Sequence, residues 1–212
     1  MKGIYLVTDR KLCSRFSVEE TIIKAIKAGV TCVQLRKKHS STREFVETAL
    51  RVKKSMSHCH VPLIINDRID VALASGADGV HIGQKDMPFK MARKLMGPNA
   101  IIGLSVETWE NVEQAQEFDV DYLGISPVYP SSTKTDTKKP WGLEGLARIK
   151  AFSRHPLVAI GGINSLNAEK VIRSGADGLA VVSAICAAPD PFDAALELCT
   201  IAEKYQYDKT SR

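Results

Sequence analysis

The sequence predicts a (β/α)8 barrel, an α/β fold built as a single domain. Three observations carry this reading. Eight short apolar runs alternate with eight longer amphipathic segments along the 212 residues. The short runs are mostly β-branched and aliphatic, as strands covered on both faces of a parallel sheet tend to be. One stretch also repeats: Ser75-Gly76-Ala77-Asp78-Gly79-Val80 recurs as Ser174-Gly175-Ala176-Asp177-Gly178-Leu179. Each copy closes a helical segment and opens a strand. Right-handed crossovers would close eight such strands into a barrel. At about 26 residues per unit, no linker or second domain is visible. The alternation also permits an open doubly wound sheet. The barrel domain is expected over residues 1–206, followed by a polar tail at 207–212.

The elements follow in order. The first strand is expected at Gly3–Val7 and the first helix at Val18–Ala28, with Ile22, Ile23 and Ile26 at helical spacing. Ser17 precedes that helix with Glu20 three residues on, the spacing of a capping box. A strand at Thr31–Leu35 leads to a helix at Thr42–Met56, where Ser41 and Glu44 repeat the capping spacing. Strands at Pro62–Ile65, Gly79–Ile82 and Ala100–Leu104 precede helices at Ile69–Ala74, Phe89–Leu95 and Thr108–Glu117. Strands at Tyr122–Ile125, Leu157–Ile160 and Gly178–Val182 precede helices at Leu143–Phe152, Asn167–Arg173 and Phe192–Tyr205. Gly29, Gly76 and Gly175 stand where helices should stop. The connection from Pro127 to Trp141 is long and rich in Ser, Thr, Lys and Pro. Connections of that length in small domains usually carry function or are disordered.

Composition excludes several classes. Apolar residues make up 44% and charged residues 25%, which suits a globular chain. No uncharged apolar stretch approaches the roughly 18–20 residues of a membrane helix. The opening Met1–Asp9 is too short in apolar residues for a secretory signal, so a cytoplasmic protein without membrane contact is expected. The net charge of +5 is dispersed, which argues against a nucleic-acid surface. Cys13, Cys32, Cys59, Cys186 and Cys199 form no C-x-x-C pair, so neither a disulfide framework nor a zinc ribbon is expected. His58 and His60 would diverge on a strand or a helix, which argues against a metal there.

Barrels place their chemistry at the C-terminal ends of the strands. There the sequence sets Thr8 and Asp9, then Gln34, Arg36 and Lys38, then Asn66 and Asp67. Asp86, Ser105, the long loop with Thr133 and Lys134, Gly161-Gly162 and Ser183 follow. Gln34 and Arg36 alternate with Leu35, so both should face the barrel mouth while Val33 and Leu35 face the helices. A buried Arg needs an anionic partner, and Arg36, Lys38 and Lys134 suit phosphate oxygens. Asp67 and Asp86 end neighbouring strands. As an oxygen-only pair they suit Mg²⁺, which keeps waters and takes further ligands from phosphates. Each alone also reads as a helix cap. Gly161-Gly162 with Ser183 suits a second anion, since phosphate sites recur after strands 7 and 8. No P-loop, dinucleotide fingerprint, catalytic triad or cysteine nucleophile is legible. His81, inside a strand, reads as a core histidine. The inventory points to a diphosphate and a monophosphate in one mouth, with metal-assisted departure of a diphosphate.

These residues resemble the thiamine-phosphate synthase family. The resemblance runs from Tyr5-Leu6-Val7-Thr8-Asp9-Arg10 to Val181-Val182-Ser183-Ala184-Ile185. It rests on Val33-Gln34-Leu35-Arg36-Lys37-Lys38, Ile65-Asn66-Asp67-Arg68, Gly76 through Pro88, Gly103-Leu104-Ser105, Pro130 through Asp136 and Ala159-Ile160-Gly161-Gly162-Ile163. It implies a transferase joining hydroxymethylpyrimidine diphosphate to hydroxyethylthiazole phosphate, with release of pyrophosphate and thiamine phosphate. It also implies that Gln34, Arg36, Lys38 and Asn66 hold the pyrimidine diphosphate, and that Asp67 and Asp86 carry Mg²⁺. Ser105 would contact the pyrimidine side. Ser131, Thr133 and Lys134 would bridge both substrates, and Gly162, Val182 and Ser183 would hold the thiazole phosphate. Arg36, Ser105 and Lys134 are the expected catalytic residues. The implied mechanism is dissociative: diphosphate leaves, and the thiazole nitrogen attacks the pyrimidine methylene cation.

Three positions depart from the family pattern. Ser131 stands where Thr is usual, and Ser126 replaces Gly before Pro127. Glu107 stands where a related thiazole tautomerase carries its acid–base His. That tautomerase and a non-catalytic barrel binding thiamine phosphates are the alternative readings. A phosphosugar isomerase would leave Arg36, Lys38, Asp67 and Asp86 unexplained. Small-molecule substrates are the expected partners, and the sequence is compatible with a homodimer.

Overall fold

Eight parallel strands pair in chain order and close on themselves. They are β1 (Gly3–Val7), β2 (Cys32–Leu35), β3 (Leu63–Asn66), β4 (Gly79–Ile82), β5 (Ile101–Val106), β6 (Tyr122–Ile125), β7 (Leu157–Ile160) and β8 (Gly178–Val181). The closing register runs from Gly3 beside Gly178 to Leu6 beside Val181. This computed structural model describes residues 2–13, 15–38, 40–130 and 139–210, with 206–210 described by backbone alone. The barrel is the fold class that the alternating pattern predicts.

Around it lie α1 (Val18–Lys27), α2 (Thr42–Ser55), α3 (Ile69–Ser75), α4 (Phe89–Met96), α5 (Trp109–Ala115), α6 (Gly142–Phe152), α7 (Ala168–Arg173), α8 (Ser183–Cys186) and α9 (Pro191–Thr210). Both predicted capping boxes form: the Ser17 and Ser41 hydroxyls accept from Glu20 and Glu44 backbone N–H groups, and each Glu reaches back. Gly76 ends α3 at a φ of 62°, a left-handed cap. Three boundaries differ from the sequence reading in ways that bear on the site or the tail. β8 ends at Val181, and Ser183 opens α8, a helix too short to show any periodicity. β5 extends through Ser105 to Val106, so Ser105 is held within the sheet. The last helix continues to Thr210, past the expected start of a tail at 207. Among the described residues no helix is long and apolar enough to cross a membrane.

Side chains alternate across the barrel wall with the period of two that strands impose. Ile4, Leu6, Val33, Leu35, Leu63 and Ile65 point outward into the helix-covered core. Tyr5, Val7, Cys32, Ile64, Tyr122 and Val158 point inward and fill the barrel. Two glycines make that filling possible. A Cβ on Gly103 would lie 2.1 Å from Tyr122 Cζ, and one on Gly124 would lie 2.8 Å from His81 Cε1. The Tyr122 and His81 rings thus fit in the interior because the positions facing them have no side chain.

The repeated Gly-Ala-Asp-Gly stretch closes the opposite end. Asp78 accepts from the backbone N–H of Leu63 at 2.8 Å, and Asp177 accepts from that of Leu157 at 2.8 Å. Asp121 does the same for Ile102 at 2.8 Å. Each aspartate satisfies a strand-start donor on its neighbour, which is a structural use of the N-terminal face.

Candidate active site

The C-terminal ends of the strands surround a cavity of ≈ 440 Å³. Its wall includes Gln34, Arg36, Lys38, Asn66, Asp67 and Asp86 on one side. Ser105, Gly162, Val182 and Ser183 complete it. These are the predicted site residues within the described part of the chain, and the fold brings them to one mouth. Ser131, Thr133 and Lys134 lie outside the described residues. The described ends of their loop are pinned: Val128 N–H donates to Ile160 O at 2.9 Å, and Trp141 N–H to Pro127 O at 2.9 Å.

Arg36 has an internal partner that the sequence reading did not name. Its Nη1 donates to Asp9 Oδ2 at 3.1 Å, with both side chains mostly buried. Its backbone N–H donates to Thr8 Oγ1 at 3.1 Å. The end of β1 therefore holds Arg36 in the mouth, and the need for an anionic partner is met in part by the protein itself.

Asp67 follows β3 in a left-handed conformation, with φ of 62°. Its N–H donates to His81 O at 2.8 Å, which ties the turn to β4. Asp86 Oδ2 accepts from Gly83 N–H at 2.7 Å. Burial and the neighbouring Asp86 carboxylate push the Asp67 carboxyl up to about 6, while Lys38 pulls the other way. Two carboxyl groups that oppose each other's ionisation form a place where a cation lowers the energy. Among the described residues no group of three His, Cys, Asp or Glu converges. The two carboxylates are of a kind that would suit a hard divalent cation completing its shell from water and phosphate.

Across the cavity, Gly161 and Gly162 turn with φ of 106° and 63°. A Cβ on Gly162 would lie 2.7 Å from Pro130 O, so both the turn and the close approach exclude a side chain. Ser183, at the start of α8, faces the same space.

The floor is polar where the sequence suggested only core. His81 bridges Tyr122 Oη, 3.0 Å from Nδ1, and Ser105 Oγ, 2.8 Å from Nε2. Tyr122 Oη lies 2.7 Å from Tyr5 Oη, which accepts from Gln34 Nε2 at 2.8 Å. Burial pushes both phenols well above the ordinary tyrosine range. The sequence reading does not name Tyr5 or Tyr122, although the alternation along β1 and β6 turns both inward.

A barrel with a cationic side, a paired carboxylate and a glycine turn in one mouth has the features of an enzyme that handles phosphorylated molecules. The comparisons make this particular. The profile of the family described as thiamine monophosphate synthase matches residues 4–185. A thiamine-phosphate synthase of Albidiferax ferrireducens is 54% identical over 195 residues, covering 92% of this chain and 89% of that protein. One from Leptospira biflexa is 50% identical over 202 residues, covering 93% and 96%. The solved thiamine phosphate pyrophosphorylase of Pyrococcus furiosus superposes with a TM-score of 0.87 at 39% identity, covering 96% of each chain. The chain belongs to the thiamine monophosphate synthase family. It is a transferase of thiamine biosynthesis, catalysing the condensation that forms thiamine phosphate.

Proposed function

We propose that this mouth performs the condensation dissociatively, with diphosphate leaving before the thiazole nitrogen attacks. The observation that carries this reading is the Asp67–Asp86 pair set beside Lys38 in the cavity that Arg36 also lines. A departing diphosphate needs charge stabilisation more than it needs a nucleophile. Mg²⁺ on Asp67 and Asp86 would offset the charge that develops on the leaving oxygens. Arg36, held by Asp9, and Lys38 bind the diphosphate, and Gln34 and Asn66 orient the pyrimidine half. Ser105 hydrogen-bonds the pyrimidine. Gly162, Val182 and Ser183 hold the thiazole phosphate. Ser131, Thr133 and Lys134 contact both substrates and keep water from the methylene cation.

The test is a coupling assay on purified protein with both substrates and Mg²⁺, reading thiamine phosphate as thiochrome fluorescence. Product that disappears with EDTA and returns with Mg²⁺ is expected. Product that persists with EDTA would overturn the metal assignment, and absence of product would overturn the reaction.

A further inference from the structure

Five side chains from five strands form one hydrogen-bonded line beneath the cavity. It runs from Gln34 on β2 through Tyr5 on β1, Tyr122 on β6 and His81 on β4 to Ser105 on β5. Its direction follows from counting protons. Tyr5 Oη accepts from Gln34 Nε2, so its own proton is available for Tyr122 Oη. Tyr122 then donates to His81 Nδ1. An imidazole that accepts at Nδ1 carries its proton on Nε2, which donates to Ser105 Oγ. The Ser105 proton has no place in that line and can turn to the cavity that Ser105 lines.

The reverse direction is poorer. With the proton on His81 Nδ1 and Gln34 Nε2 still facing Tyr5, Tyr122 would donate to Tyr5, and Tyr5 would be left with the Cys32 thiol as its acceptor. Sulfur is a weak acceptor, and Tyr5 is almost fully buried. The forward arrangement sends every proton in the line to nitrogen or oxygen, which a low-dielectric interior strongly favours. It also decides what Ser105 can do. A serine that receives a proton from its histidine cannot give its own proton to that histidine, so the pair is not a nucleophile and base. Gln84 Nε2 fixes the Ser105 backbone as well, donating to its carbonyl at 2.6 Å.

We propose that Tyr5, Tyr122 and His81 are positioning residues that hold Ser105 as a hydrogen-bond donor to a ring nitrogen of the pyrimidine substrate. This rests on the reading above that Ser105 meets the pyrimidine half. The pyrimidine is thereby selected as an acceptor at that position, and a ring presenting N–H there would meet a second donor.

The test has a spectroscopic arm and a kinetic arm. Long-range ¹H–¹⁵N correlation spectra of the ¹⁵N-histidine-labelled protein, with the His81 signals assigned by their loss in His81→Gln, should show the proton on Nε2. Any other pattern overturns the relay. Tyr122→Phe keeps the ring between its neighbours and removes only the hydroxyl. It should lower kcat/KM for the pyrimidine diphosphate about tenfold, the scale of one hydrogen bond. The KM for the thiazole phosphate should stay within about twofold. If Tyr122→Phe fails to fold, Tyr5→Phe should give the same pattern at smaller amplitude. Unchanged kinetics, or equal loss toward both substrates, would overturn the positioning role. The spectra need no substrate, so a wild-type protein without turnover would refute the reaction assignment while leaving the relay readable.

Discussion

Asp67 is the only described residue other than glycine with positive φ. Such a conformation costs on the order of 1 kcal/mol or more and persists where the surrounding structure over-determines it. The turn sets its carboxyl against Asp86, and the carboxyl is pushed up to about 6 from an unfolded value of 3.8. The folded state therefore holds this proton more tightly than the unfolded chain does. Its stabilising effect is complete below about pH 3.8 and is lost as pH rises through about 6. Without divalent cation, Asp67→Asn should raise Tm at pH 7, and the gain should vanish at pH 4. A gain of equal size at both pH values in thermal melts would refute this. The sequence places Asp67 and Arg36 on the rim, but it shows neither the raised carboxyl nor the Asp9 partner of Arg36. Both depend on groups carried by other strands or by the loops that follow them.

Local signals govern the elements. Serine followed by glutamate three residues on is enough to start α1 and α2, because both partners lie within one helical turn. The repeated Gly-Ala-Asp-Gly is legible as a helix-to-strand junction, whereas the task of its aspartate is not. That task appears only when β3 lies beside β4 and Asp78 meets the Leu63 N–H. Asp78→Ala should cost about 1–3 kcal/mol by leaving a buried donor unpaired. Urea denaturation should show the loss, and kcat should stay at the wild-type value because Asp78 lies at the end of the barrel opposite the cavity. The α8 helix escapes sequence reading for a related reason. Four residues contain no full period, and Ser183-Ala184-Ile185-Cys186 merges with the apolar run of β8.

At the scale of the molecule, closure separates two ends with different work. Structural aspartates line the end where strands begin, and charged and hydroxyl groups line the end where they finish. The packing between helices and barrel wall adds its own pH dependence. Burial, reinforced by the charge of Arg154, holds His155 below the ordinary histidine range, with Nε2 3.0 Å from Ala115 O. The unfolded chain takes up this proton first, so stability falls as pH drops through about 6.5 toward the lower folded value. His155→Gln should lessen the loss of urea midpoint between pH 7.5 and 5.5. An equal loss in both proteins would refute the assignment.

The sequence by itself determined the fold class, the strand order and the rim on which the polar residues gather. These follow from local periodicity, from caps within one turn and from the alternation of side chains along each strand. Tertiary structure alone decided which groups act on one another. Tyr5 and Tyr122 are 117 positions apart, yet their hydroxyls lie 2.7 Å from each other inside the closed barrel. The Asp9–Arg36 pair, the raised Asp67 and the line that ends at Ser105 arise in the same way. Hydrogen bonds and carboxylate repulsion act over a few ångströms, and only closure of the barrel brings such distant positions within that range.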